Sequence, residues 1–108
     1  MGKHLAEVRH TLKTWPNFFD AVKRGEKKFE VRRDDRGFQK GDLVDLVRFD
    51  PKTDDAWHFK SFMSSYPTQT FRIGWVLTGG QFGIEPGYVV FSLEPVTGRS
   101  TLAGGSDA

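Results

Sequence analysis

The chain has 108 residues, of which 37% are apolar; ten are Phe, three are Trp and none is Cys. That length suits one core and excludes two independent domains, and the absence of thiols excludes a disulfide framework or a thiolate metal site. The net charge of +2 decides little, but residues 23–36 carry seven Lys and Arg against four Asp and Glu, a local surplus that would attract phosphate while its carboxylates argue against a non-specific DNA clamp.

Residues 3–13, KHLAEVRHTLK, read as a strand followed by a connection. TWPNFFDAVKRG changes to the pattern of a short amphipathic helix over 15–24. Pro16 suits the first turn, where a missing N–H costs little. Phe18, Phe19, Ala21 and Val22 form the apolar stripe, Lys23 and Arg24 sit in the last turn, and Gly25 follows to reverse the chain. KKFEVRR then alternates, which predicts a strand with Phe29 and Val31 on a buried face and Lys28, Glu30 and Arg32 on a charged one.

DDRGFQKGD is turn chemistry, in which Asp34 and Asp35 serve the turn or orient Arg36. LVDLVRF, residues 43–49, is the next strand and DPKTDD a loop. Beyond it, Phe59, Phe62, Met63 and Tyr66 fall at helical spacing. That favours a short helix with a packed satellite cluster over bases stacking on these rings and Trp57. FRIGWVL, residues 71–77, predicts a strand with Phe71, Ile73, Trp75 and Leu77 inward. TGGQFGIEPG is a connection whose glycines serve turn geometry; it lacks the Lys and following helix of a phosphate loop, and Gln81 is its one candidate ligand contact. YVVFSLEPV is apolar on both faces, as a central strand should be.

These elements predict an α+β fold, a small mixed β-barrel of about five strands with one or two short helices at one end. Residues 1–96 form the domain and 97–108 a flexible tail. No apolar run approaches a membrane span and no signal-like segment precedes the first charges, so a soluble, cytoplasmic, monomeric protein with no membrane contact is expected. His4, His10 and His58 are far apart without ligand spacing, so neither metal nor cofactor is expected. His10 reads as structural, with a proton donor beside Lys13 as the alternative.

GEKKFEVRRDD, residues 25–35, places eight charged side chains in eleven positions. Periodicity alone favours a solvated strand face, whose exposed ion pairs are worth roughly 0–1 kcal/mol each. Otherwise the face lines a cleft walled by the preceding helix. GEKKFEVR resembles the G-x-K-x-x-E-x-R signature of ASCH domains, a branch of the PUA-like superfamily. With HTLK before it, FQKGD after it and GYVV near the end, residues 8–95 look most like the phage and bacterial family DUF3850.

The resemblance implies a PUA-like (ASCH) pseudobarrel with a cleft beside the first helix. There Gly25, Lys27, Glu30 and Arg32 hold the signature positions, with Lys13 at the same mouth. PUA-like domains commonly bind RNA or read modified bases, and a few ASCH relatives hydrolyse modified nucleosides or RNA. The expected function is therefore recognition of RNA or a modified base by Lys13, Lys27, Glu30, Arg32, Arg33 and Arg36. On that reading the cations hold phosphate or a carbonyl, and Glu30 accepts from a base amino group. Alternatively the domain is a hydrolase using Lys27 or Glu30 as acid–base groups; Glu30 stands where the amidohydrolase relatives keep a threonine nucleophile. A phage accessory protein that binds a host protein through its aromatic insert is a third reading.

Overall fold

The computed structural model describes residues 7–56, 59 and 65–96. Its elements are β1 (Arg9–Thr14), α1 (Pro16–Lys23), β2 (Phe29–Arg33), β3 (Leu43–Arg48), β4 (Thr68–Thr78) and β5 (Tyr88–Pro95). The proposed tail at 97–108 lies outside the described residues, as do Phe62, Met63 and most of the second predicted helix.

Helix α1 forms for the reasons its sequence carries. Trp15 is its N-cap, Pro16 fills the first position, and Phe19 N–H donates to Trp15 O at 2.8 Å. At the other end, Gly25 takes φ 81°, which only glycine adopts readily. Gly25 N–H then reaches Val22 O and Glu26 N–H reaches Ala21 O, each at 3.0 Å, the paired bonds of a Schellman motif. One more bond, from Lys27 N–H to Ala21 O, carries this order into the next residue.

The five strands form one sheet in the order β1-β3-β4-β5-β2. β1 and β3 are parallel, joined through α1 and β2, and every other pairing is antiparallel. The sheet curls into a half-barrel whose two edges, β1 and β2, are not joined by a ladder. As its apolar faces predict, β5 lies inside the sheet, between β4 and β2. Leu12, Phe19, Val22, Leu46, Ile73 and Phe91 belong to one buried cluster, and each such side chain contributes about 1.5–3 kcal/mol on burial. Phe49, Phe59 and Tyr66 pack beside Val47 in a second cluster, so these two insert aromatics follow the packing expectation.

One predicted strand face is reversed, and a second, which holds at Phe71 and Ile73, is broken at Trp75. In β2, Glu30 is 3% exposed while Phe29 and Val31 are 46% and 51% exposed. The charged face turns inward because its charges pair with one another, and pairing is the condition under which burial is tolerated. In β4, Trp75 is 65% exposed. The register shifts by one residue between Ile73, opposite Leu93, and Val76, opposite Phe91. This bulge turns Trp75 outward, and its N–H donates to Ser92 Oγ at 2.8 Å.

A two-toothed ion pair fastens α1 to β3: Arg48 Nε and Nη2 donate to Asp20 Oδ1 and Oδ2 at 3.2 and 3.3 Å. The hydrogen bond from Arg48 holds the Asp20 carboxyl below its ordinary pKa, aided by the charges of Arg48, Arg24 and Lys23 and opposed by desolvation. A depressed folded-state pKa means that the unfolded chain binds the proton more readily. The stabilisation is therefore complete above the ordinary carboxylate pKa and is lost as pH falls through the depressed one. Denaturation series on wild type and Asp20→Asn are expected to differ modestly near neutrality and to converge in acid.

Candidate functional site in the half-barrel seam

The edges of the curled sheet face each other across a seam that side chains close. Arg32 reaches from β2 to β1, donating through Nη2 to Lys13 O at 3.0 Å and Thr14 Oγ1 at 3.3 Å. Arg36, past the end of β2, donates through Nη1 to Thr11 O at 3.3 Å. The odd-numbered residues of β1 turn their backbone groups to this free edge, since Val8 O and Thr14 O bond toward β3. The guanidinium groups thus satisfy edge carbonyls that a neighbouring strand would otherwise take.

Where the seam opens, between Arg32 and the helix, lies a cleft of about 420 Å³. Lys13, Thr14 and Trp15 come from β1 and its junction with α1, Phe18 from the helix, and Lys27 to Arg32, apart from Lys28, from the opposite edge. Trp15 and Phe18 are half-exposed, with rings stacked at 15° and centroids 6.2 Å apart. Phe29 is the third aromatic of the lining.

Glu30 organises the polar floor. Its Oε2 accepts from Lys27 Nζ at 2.7 Å and its Oε1 from Arg32 Nε at 2.9 Å. Lys27 Nζ also donates to Phe29 O at 2.6 Å and lies 4.9 and 5.6 Å from the Phe29 and Phe18 ring centroids. Both cations are therefore held by the buried carboxylate, and the faces they turn to the cleft are donors. Lys13 differs: its Nζ sits 5.1 and 5.5 Å from the Phe49 and Phe59 centroids, with no carboxylate partner among the described residues. Among the described residues, its charge is the one on the lining without an ion-pair partner.

The fold thus brings Lys13, Lys27, Glu30 and Arg32 together at one cleft, while Arg33 and Arg36 line no part of it. Arg33 lies over the Tyr88 ring and donates to its hydroxyl at 3.3 Å; Arg36 pairs with Asp35 and lies over Phe38. Glu30 is oriented by its two ion pairs, each oxygen accepting from one cation. His10 is buried away from the cleft, 2.8 Å from Asp42 and tilted against Phe38, which fits a structural role. Asp34 accepts from Gly37 and Phe38 N–H, and Gln81 donates to Thr78 O, so both serve turns. Within the turn at Gly79, a side-chain carbon would collide with Glu85 O and lie 2.7 Å from Tyr88 O, which is why the residue there is glycine.

Sequence reasoning missed Trp15 as a wall and placed Phe18 and Phe29 in the core. The available signal was position, because Trp15 stands directly before the helix whose side was expected to wall the cleft. Among the described residues no group of three or more His, Asp or Glu side chains could hold a metal ion, and no helix is long and apolar enough to cross a membrane.

Fold and site define a small α+β half-barrel domain with an aromatic, cation-floored cleft at its seam. The chain belongs to the family described as a domain of unknown function, DUF3850, whose model matches residues 9–93. No curated protein matches it.

Proposed function

We propose that this domain is an ASCH-type member of the PUA-like superfamily and binds RNA, taking one base, plain or modified, into the seam cleft. The observation that carries the reading is the combination of three aromatic side chains, Trp15, Phe18 and Phe29, with a donor-rich floor in one cleft. Single-stranded nucleic acids are held by such stacking surfaces together with cations along the backbone. The cleft volume also lies within the range of small-ligand sites, about 300–1,000 Å³.

Binding is favoured over hydrolysis by the state of Glu30. A general base must be reached by the proton it takes, and Glu30 is 3% exposed with each oxygen accepting from a cation of the floor. Lys13, without a carboxylate partner among the described residues, is the residue assigned to a phosphate. Fluorescence titration of a mixed single-stranded RNA pool at several salt concentrations tests this. Lys13→Ala is expected to weaken binding across the whole pool and to reduce the salt slope by about one ion. An unchanged slope would remove Lys13 from the interface, and product formation by the wild-type protein would favour the hydrolase reading instead.

A further inference from the structure

The backbone of β2 presents the cleft with a second kind of recognition element. Lys28 O accepts from Leu93 N–H, and Asp34 N–H donates to Gly87 O. With Glu30 opposite Phe91 and Arg32 opposite Val89, the even-numbered residues therefore turn their backbone groups toward β5. Phe29 and Val31 turn theirs the other way, to the free edge that lines the cleft. Phe29 O is taken by Lys27 Nζ, which also donates to Glu30 Oε2 and, as an ammonium, keeps a further N–H. Val31 N–H comes next along the same edge and Val31 C=O after it; neither has a hydrogen-bond partner among the described residues. Arg33 N–H, the group beyond them, is again a donor. The order along the edge is therefore ammonium donor, amide donor, amide acceptor, amide donor, with aromatic side chains beside it.

The first three of these groups complement a base edge that runs acceptor, acceptor, donor. Cytosine carries that order across its O2, its N3 and its 4-amino group. Uracil in the same seat sets its ring N–H against Val31 N–H and its O4 against Val31 C=O, like against like at both. Adenine matches Val31 through N1 and its 6-amino group but has a C–H where Lys27 needs an acceptor. Guanine offers N7, O6 and N1–H in the required order, but its 2-amino group then meets Arg33 N–H, donor against donor. We infer that the cleft reads the Watson–Crick edge of cytosine through the Val31 main chain: the Lys27 ammonium donates to O2, Val31 N–H donates to N3, and Val31 C=O accepts from the 4-amino group. This inference rests on the proposed RNA-binding function and specifies which base that site prefers.

Cytidine, 3-deazacytidine, uridine or guanosine, each placed at the centre of one otherwise abasic RNA oligomer and titrated against the intact protein, test it. The deaza base has C–H in place of N3 and so lacks that acceptor alone. The cytidine oligomer is expected to bind about tenfold more tightly than the deaza one, as loss of one hydrogen bond implies, and more tightly than the uridine and guanosine oligomers. Val31→Pro removes only the edge-facing N–H that N3 would meet, a substitution that edge strands accommodate. It is expected to bring cytidine and 3-deazacytidine to equal affinity, whereas Val31→Ala keeps them apart. Equal binding of those two oligomers by the wild-type protein, or tighter binding of uridine or guanosine, overturns the subsite while leaving RNA binding in place. So does a folded Val31→Pro protein that still prefers cytidine over its deaza analogue by the full factor. Failure of the wild-type protein to bind any oligomer or the RNA pool overturns the subsite together with the function it rests on. Should Val31→Pro not fold, the deaza oligomer still decides the matter, because that comparison needs no variant.

Discussion

Glu30→Ala is expected to destabilise the domain by about 3 kcal/mol, the lower end of the cost of breaking a buried ion pair. The low end applies because Lys27 and Arg32, unlike Glu30, keep some contact with water. For a chain of this size the loss corresponds to a fall of roughly 12–24 °C in the thermal midpoint. Its origin is the two cations left facing each other across the floor, not the few lost contacts of the carboxylate. The triple replacement Lys27→Met, Glu30→Leu, Arg32→Met is therefore expected to recover much of that stability, because no uncompensated charge remains. Denaturant melts of the two variants separate the alternatives. A triple variant no more stable than Glu30→Ala would mean that Arg32, through Lys13 O and Thr14 Oγ1, is the principal fastener of the seam.

Trp15→Ala and Phe18→Ala are expected to act on binding and hardly at all on folding. Each ring is half-exposed, so truncation leaves no core cavity. If a base stacks on them, each substitution removes about 1–3 kcal/mol of stacking, a loss in RNA affinity of roughly 5- to 150-fold. Phe19→Ala, one position along the helix and buried in the core, is expected to do the reverse. Paired melting and RNA-titration curves for the three variants test the assignment. Comparable binding losses from Phe19→Ala and Trp15→Ala, after correction for the folded fraction, would show that the cleft wall has no specific role.

Much of this fold was legible in the residues. Pro16 and Gly25 bracket the helix, the apolar runs mark the strands, and the two apolar faces of YVVFSLEPV place β5 inside the sheet. One face was misread throughout and another at a single residue, for different reasons. Alternation assigns charges to solvent, but in β2 the carboxylate and its two cations satisfy one another and take the inward side, while Phe29 and Val31 face outward. Nothing in the spacing of a single strand distinguishes these cases; the family signature, which marks Lys27, Glu30 and Arg32 as a set, was the better guide. In β4 the warning was present, since an isolated Gly within a strand pattern is a common sign of a bulge. Gly74 precedes Trp75, and a side chain at Gly74 would collide with Glu94 and Ser92. The cleft's aromatic walls were harder to foresee, because they come from a strand end, a helix face and the opposite sheet edge, and only the curl of the sheet brings these together.

The central claim is that RNA enters the seam between β1 and β2. A titration of the isotopically labelled protein with single-stranded RNA, followed by amide and indole NMR shifts, tests it most directly. The account predicts that the largest changes fall on the Trp15 indole and on the backbone amides of residues 27–32, with the Trp75 indole unmoved. Changes centred on Trp75 or Arg33 with residues 27–32 silent, or no changes at saturating RNA, would contradict it.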